Sequence, residues 1–147
     1  MPPEEILTHS SEETTEFGRA LAARLIAPVL VLLKGDLGAG KTTLTKGIIS
    51  GLGAAQEEDV TSPTFNLVHV FKTPSTPPIK IYHVDLYRLE GTHDLESIAL
   101  EDILSEPAIA IIEWSERLTL RTDWPIVRIE LEHAGEDARR IRVTNPK

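Results

Sequence analysis

Continuous and alternating runs of apolar residues divide this chain into predicted strands. Residues 29–33 are continuously apolar, which is typical of a buried strand, and the run at 108–112 predicts a central strand covered on both faces. Residues 79–84 form a further strand-like run. Three segments alternate apolar and polar positions, as half-buried strands do: 65–71, 126–132 and 140–143. The pattern therefore predicts a sheet of several short strands.

Helical spacing of apolar residues marks three other segments. Residues 11–26 begin beside Ser10 and Ser11, two candidate N-caps, carry acidic residues in the first turn and present one apolar face. Residues 43–49 predict a second helix, and 92–104 predict an amphipathic third. Helices are thus interspersed with strands, as in α/β proteins.

Two polar connections predict antiparallel hairpins. The proline-rich residues 72–78 are expected to form a long exposed hairpin loop, with a partner-binding proline motif as the alternative. Residues 133–137 join the last two predicted strands in the same way. Both hairpins should add antiparallel pairs to the sheet.

Composition narrows the class of protein. The 147 residues are predicted to form a single domain, 1–147, and 41% apolar with 26% charged residues is typical of a soluble globular chain. No apolar run reaches the length of a membrane span and the N-terminus is acidic, so we expect a cytoplasmic protein with no membrane contact. The net charge of −8 opposes direct binding to a nucleic-acid backbone, so a partner would have to hold any RNA.

Cysteine and histidine contribute little to the predicted chemistry. The chain has no cysteine, which excludes disulfides, thiolate nucleophiles and cysteine zinc sites. The histidines have no ligand-like spacing and are predicted to be surface residues or hydrogen-bonded core residues: His9, His69, His83, His93 and His133.

A glycine-rich loop lies between the predicted strand at 29–33 and the predicted helix at 43–49. Its residues 35–42, GDLGAGKT, match the pattern G-x-x-x-x-G-K-[ST] at every fixed position. In such a loop, backbone N–H groups and the helix N-terminus converge on phosphate oxygens. Lys41 is expected to reach the β- and γ-phosphates, and the Thr42 hydroxyl to bind Mg²⁺. The sequence therefore predicts nucleotide binding.

The other loop residues are candidates for the same phosphate contact. Asp36 fits a capping carboxylate better than a catalytic acid. The candidate nucleotide-binding residues within the loop are Asp36, Gly38, Ala39, Gly40, Lys41 and Thr42.

Two acidic residues end strand-like runs and are candidates for the metal and water chemistry. Asp85 follows the run at 81–84, and Glu113 follows the apolar run at 109–112. The carboxyl ends of strands near a phosphate loop are where a metal and an attacking water would sit. The alternative is a pair of surface carboxylates. One residue is expected to bind the metal and the other to position water, and the sequence does not decide which.

Residues 61–65, TSPTF, form a rigid hydroxyl-bearing segment after an acidic loop. Such a segment could sense the γ-phosphate through a threonine, becoming ordered when the phosphate is present. The alternative is a proline turn before a strand.

Four segments of the chain resemble the TsaE (YjeE-type) family of P-loop ATPases in order and rough spacing. The resemblance covers nearly the whole chain, and the DLYR and EW segments make it specific because a glycine loop alone is shared by many unrelated enzymes. The four segments are GDLGAGKTT at 35–43, TSPTF at 61–65, HVDLYRL at 83–89 and IEWSE at 112–116.

The resemblance implies a fold, two cofactors and a set of site residues. The expected fold class is α/β, a three-layer P-loop NTPase-like fold with a mixed sheet, its core parallel and its hairpin strands antiparallel. The implied cofactors are ATP and Mg²⁺. The implied site residues are Ser11 near the base, Lys41, Thr42 and Thr43 at the phosphates, Thr64 in a switch-like loop, Asp85 and Glu113 at the magnesium and water, and Arg88 and Trp114 with less definite roles.

The resemblance also implies partners. In this family a TsaB–TsaD pair binds tRNA and transfers a threonylcarbamoyl group to the adenosine next to the anticodon. The present chain would dock on that pair with ATP, hydrolyse it to reset the complex, and meet tRNA only through its partners. Hydrolysis is expected to be weak without them.

Two other functions are compatible with a glycine loop. A small kinase would need an acceptor site and an arginine-bearing lid, for which Arg117 and Arg121 are poor candidates. A GTP-dependent switch module would carry an Asn-Lys-x-Asp string, which does not occur.

Overall fold

Seven strands of one mixed sheet form the centre of the described part of this computed structural model, which covers residues 3–36, 38–61, 68–86, 100–113 and 122–146. The strands are β1 (Glu4–Thr8), β2 (Val29–Gly35), β3 (Val68–Lys72), β4 (Lys80–Asp85), β5 (Ile109–Glu113), β6 (Ile126–His133) and β7 (Arg139–Thr144). The helices are α1 (Ser11–Ala22), α2 (Lys41–Gly51) and α3 (Leu100–Ile103), and a 3₁₀ turn spans Glu57–Asp59.

The sheet order is β1-β7-β6-β2-β5-β4-β3. β2 lies parallel to both β5 and β6, and β4 lies parallel to β5. The antiparallel pairs are β3–β4, β6–β7 and β1–β7. The predicted combination of a parallel core with antiparallel hairpin strands is therefore confirmed, and both predicted hairpins form.

The sheet is covered on both faces, which accounts for the continuously apolar runs of β2 and β5. Val31 and Leu33 belong to a cluster with Leu44 of α2, whereas Leu32 packs with Ile103 of α3 on the opposite face. Successive residues of a strand point to opposite faces, so a strand between two helical layers must be apolar throughout. The three-layer α/β prediction is confirmed.

Helix α1 starts as predicted but ends earlier. Ser10 is the N-cap, and its hydroxyl accepts a hydrogen bond from the Glu13 backbone N–H at 3.1 Å. The helix was predicted to continue to residue 26, yet it ends at Ala22. The backbone N–H groups of Arg24 and Leu25 donate to carbonyls three residues back, which turns the chain before Pro28.

Helices α1 and α2 pack backbone against backbone. A Cβ on Gly47 would lie 2.0 Å from the Thr15 carbonyl oxygen, and one on Gly51 would lie 2.8 Å from the Ala22 Cβ. These contacts advance in the same direction along both helices. The N-terminus of α1 is thereby held beside that of α2, where the glycine loop ends.

Strand β1 was not predicted. Its residues Glu4 and Glu5 are charged, and it lies at a sheet edge where only Ile6 and Thr8 turn toward the core. Its pairing with β7 brings together two segments that are far apart in sequence, a contact that no local pattern predicts.

Two predicted elements fall partly outside the described residues. These are the predicted strand at 65–71, of which 65–67 are not described, and the predicted helix at 92–104, of which the described helical part is Leu100–Ile103. Among the described residues, no helix is long and apolar enough to cross a lipid bilayer.

Candidate functional site

The carboxyl ends of three parallel strands meet at one edge of the sheet. Gly35 ends β2, Glu113 ends β5 and Asp85 ends β4, and Asp85 and Glu113 are direct partners in the parallel register. β5 lies between β2 and β4, so Glu113 is nearer than Asp85 to the chain that leaves β2. The fold thus brings both carboxylates to the edge of the sheet from which the glycine loop leaves.

The loop after β2 owes its shape to glycine. Gly38 and Gly40 have φ angles of +80° and +100°, a left-handed conformation that residues with a side chain rarely adopt. The Ala39 N–H donates to the Asp36 carbonyl at 3.0 Å, and the Leu44 N–H donates to the Gly40 carbonyl at 2.9 Å as α2 begins. Gly35 lies so close to the Leu131 carbonyl of β6 that a Cβ would sit 2.5 Å from it.

The N-terminus of α2 has the geometry of an anion site. Gly40 occupies the N-cap position and, as a glycine, supplies no side-chain cap to the first N–H groups of the helix. Those donors and the positive end of the helix dipole act together on a negative group. The glycine loop therefore fits a phosphate.

Lys41 lies beneath the loop. Its side chain is buried, and its Nζ donates to the Gly35 carbonyl at 2.5 Å and the Asp36 carbonyl at 2.8 Å. A buried ammonium group requires such partners because burial without them is costly. The protein thus holds a positive charge at the loop. Asp36 itself is exposed and contributes its backbone carbonyl to the loop.

Thr42 and Glu113 form the polar centre of the site. The Thr42 hydroxyl donates to Glu113 Oε1 at 3.1 Å and lies 3.3 Å from Oε2. Glu113 is only 2% exposed. A hydroxyl and a carboxylate are hard oxygen ligands of the kind that Mg²⁺ takes, with water and phosphate completing its shell. These two residues could therefore hold such an ion, although the described residues contain no group of three acidic or histidine side chains suited to a metal.

His83 contacts the polar centre of the site, which its place in the sequence did not predict. It is fully buried, and its Nε2 is in hydrogen-bond contact with Glu113 Oε2. It is a core histidine, one of the two predicted alternatives, but its Nδ1 has no hydrogen-bond partner among the described residues. The available signal was strand periodicity, since His83 lies two residues before Asp85 and therefore on the same face of β4.

A second histidine, His69 of β3, lies next to His83. Their ring centroids are 6.3 Å apart and the rings are nearly perpendicular, at 81°. Burial, chiefly, and then the neighbouring His83 lower the pKa of His69, while a hydrogen bond with the Thr61 backbone acts in the opposite direction.

A cleft of about 90 Å³ opens on the other side of the loop. It brings together the start of α1, the loop and the β6–β7 hairpin. Its lining residues are Ser11, Thr14, Gly38, Gly40, Thr43, Asp137 and Arg139. Two predicted residues that are distant in sequence, Ser11 and Thr43, therefore share one cleft.

Asp137 and Arg139 were not predicted. The Arg139 guanidinium donates to the Gly38 carbonyl at 3.3 Å and to the Glu136 and Ala138 carbonyls of its own hairpin. No local signal marks these residues, because only the pairing of β7 with β6 brings them to the loop.

Three other residues cannot be compared with their predictions. Thr64 of the proposed switch, Arg88 and Trp114 lie outside the described residues.

The topology and the loop define the class of protein. A crystal structure of Bacillus subtilis YdiB matches this chain with a TM-score of 0.70 and 28% identity, over 99% of this chain and 87% of that one. A parallel strand, a glycine loop and a helix in this arrangement constitute the P-loop fold.

Sequence comparisons define the family. The family model described as "Threonylcarbamoyl adenosine biosynthesis protein TsaE" matches residues 8–141. A protein of Rickettsia bellii named tRNA threonylcarbamoyladenosine biosynthesis protein TsaE is 38% identical over 139 residues, covering 95% of this chain and 93% of its own. A protein of the same name from Treponema pallidum is 33% identical, covering 93% and 97%. The chain therefore belongs to the TsaE family of tRNA threonylcarbamoyladenosine biosynthesis.

Proposed function

We propose that this protein binds Mg²⁺–ATP and hydrolyses it to support a TsaB–TsaD pair in threonylcarbamoyladenosine modification of tRNA next to the anticodon. The observation that carries the proposal is the contact between Thr42 and Glu113 directly beside the glycine loop. This contact places two oxygen ligands of the kind that Mg²⁺ takes beside the backbone N–H groups that would bind phosphate. Membership of the TsaE family supports the pathway.

The binding step rests on the loop and on Lys41. The N–H groups at the start of α2 would donate to phosphate oxygens, and Lys41 would exchange its bonds to the Gly35 and Asp36 carbonyls for the β- and γ-phosphates. The cleft beside Ser11, Thr43 and Arg139 would take the nucleoside end.

The hydrolytic step rests on Thr42, Glu113 and Asp85. Magnesium, when bound, would neutralise charge on the phosphates. Glu113 touches Thr42 and is therefore the better candidate for the metal. Asp85 is half-buried on the next strand out and is the better candidate for orienting the attacking water. The sequence had left these two roles interchangeable.

Measuring ATP affinity with and without Mg²⁺ tests this assignment. In Glu113→Gln, the increase in ATP affinity that Mg²⁺ causes should be smaller by at least about tenfold, as is usual when a metal site is disturbed. Asp85→Asn should keep most of it while losing turnover. Glu130→Gln, an exposed carboxylate on β6, is the matched control and should change neither quantity. Full retention of the Mg²⁺ effect in Glu113→Gln, with lost turnover, would reverse the two roles.

Phosphate release tests the function as a whole. The purified protein should release phosphate slowly from ATP, and the TsaB–TsaD pair should increase the rate. The acidic net charge of −8 fits a component that leaves RNA binding to its partners. A preference for GTP would favour a switch module, and transfer of phosphate to a small acceptor would favour a kinase. ATP hydrolysis unaffected by the pair would contradict the proposed partnership.

A further inference from the structure

The buried imidazole of His83 has no part in the chemistry described above, yet it touches the central carboxylate. Its side chain is completely inaccessible to solvent, and Glu113 beside it is 2% exposed. His83 Nε2 contacts Glu113 Oε2, while the Thr42 hydroxyl approaches the same carboxylate at 3.1 Å from Oε1. The carboxylate is thus held from two sides by donors on different elements, β4 and α2.

The surroundings of His83 indicate its tautomer. An ionised Glu113 can only accept, so the contact requires a proton on His83 Nε2. His83 Nδ1 is buried and has no hydrogen-bond partner among the described residues. A proton on Nδ1 would leave a buried donor without a hydrogen-bond partner among the described residues, which is costly. The arrangement therefore favours a proton on Nε2, which donates to Glu113.

A buried carboxylate with too few donors does not stay in one orientation. Each unsatisfied lone pair in the interior carries a desolvation cost, so the side chain turns toward whatever donor or water it can reach. Glu113 ends its strand, where the chain leaves the sheet. The contact with His83 on β4 involves Oε2, while Oε1 lies 3.1 Å from the Thr42 hydroxyl.

We propose that His83 is a positioning residue, whose Nε2–H bond to Glu113 orients the carboxylate for the cation shared with Thr42. This inference rests on the proposed Mg²⁺–ATP function. His83 touches neither the nucleotide nor the reacting atoms in this scheme, and it acts only through Glu113. Partners that orient a metal-binding carboxylate commonly change metal affinity by about 10- to 100-fold when they are removed.

The test compares two substitutions in the full-length protein. His83→Leu removes the donor at similar volume, and His83→Gln keeps an N–H donor near the position of Nε2. Binding of a fluorescent, non-hydrolysable ATP analogue is measured with and without Mg²⁺, so that the readout does not depend on turnover. Thermal unfolding of each variant reports whether it is folded.

The expected result is a loss specific to magnesium. In His83→Leu, the increase in analogue affinity that Mg²⁺ causes should be smaller by about tenfold. The affinity measured without Mg²⁺ should be the same as in wild type. His83→Gln should recover most of the gain. His69→Phe is the matched control, because it keeps an aromatic ring against His83 and does not contact Glu113 among the described residues.

Other results would overturn the inference. If wild type shows the Mg²⁺ gain and His83→Leu keeps it, or if the Gln and Leu variants lose it equally, His83 does not position Glu113. If wild type itself shows no Mg²⁺-dependent binding, the proposed function fails and the positioning role fails with it. If His83→Leu does not fold, nitrogen NMR of the wild-type imidazole decides: a proton on Nε2 supports the bond to Glu113, and a proton on Nδ1 alone overturns it.

Discussion

The two walls of the candidate site are built by different means. The loop wall consists of backbone groups whose directions follow from the positive φ angles of Gly38 and Gly40. The opposite wall consists of buried side chains, Glu113 and His83, that meet because β4 and β5 lie side by side in a fixed register. A substitution should therefore damage the first wall through local strain and the second through loss of a distant partner.

Lys41 belongs to the loop wall, where its Nζ donates to the Gly35 and Asp36 carbonyls, and its removal should have the largest effect. Lys41→Ala takes away a buried cation that donates to two loop carbonyls, so ATP affinity and turnover should both fall, each by about 10-fold or more. Equilibrium binding and phosphate release measure the two quantities. Lys34→Ala is the control, since Lys34 is exposed on the preceding strand. Normal affinity with lost turnover would mean that Lys41 acts only in the transition state.

Gly40 tests whether the loop wall depends on backbone conformation. Gly40→Ala should cost about 1 kcal/mol or more of folding free energy because its φ of +100° disfavours a side chain. It should also weaken nucleotide binding by displacing the first N–H groups of α2. Chemical denaturation and nucleotide titration measure the two effects.

Gly53 provides the matched control at the far end of α2. Its φ is +75°, so Gly53→Ala should also destabilise the protein, but nucleotide affinity should stay normal. Equal losses of affinity in both variants would show that general destabilisation, rather than the loop, weakens binding.

His69, beside the side-chain wall, should give the smallest effect, a change in pH dependence. Burial lowers the pKa of His69 below its ordinary value of 6.5, so the unfolded chain takes up a proton at higher pH than the folded one. The free energy of unfolding that a neutral, buried His69 contributes is fully present above pH 6.5. It is lost as the pH falls from 6.5 toward the pKa of His69 in the folded protein. The ring is partly exposed, so the loss should be small.

Denaturation midpoints of wild type and His69→Phe at pH 7.5 and 5.5 would measure this contribution. Wild type should lose more stability than the variant over that interval. A variant that loses as much as wild type would show that burial of His69 does not affect the pH dependence.

The two walls also differ in how far they could be predicted from the sequence. The loop wall follows from a contiguous string, because glycine spacing and an N-terminal helix turn are local properties. Strand ends at Asp85 and Glu113 could be predicted from apolar runs that stop at a charge. The contact of Glu113 with Thr42 could not be predicted, since it depends on β5 lying next to β2 in the sheet.

The site residues that could not be predicted from the sequence all owe their positions to long-range strand pairing. Arg139 reaches the Gly38 carbonyl across 101 positions of sequence, and His83 reaches Glu113 across 30. Strand β1 was missed because a charged edge strand carries almost no hydrophobic pattern, and its partner lies at the other end of the chain.

The sequence by itself determined the glycine loop, the apolar strands around it, the hairpins and the family resemblance. Each depends on neighbouring residues, whose spacing directly limits backbone conformation and burial. Only the tertiary structure decided the strand order, the contact of Glu113 with both Thr42 and His83, and the cleft that Ser11 shares with Arg139. Those contacts depend on strand register and on close helix packing, where the free energy of the whole core selects one arrangement among many that local preference allows.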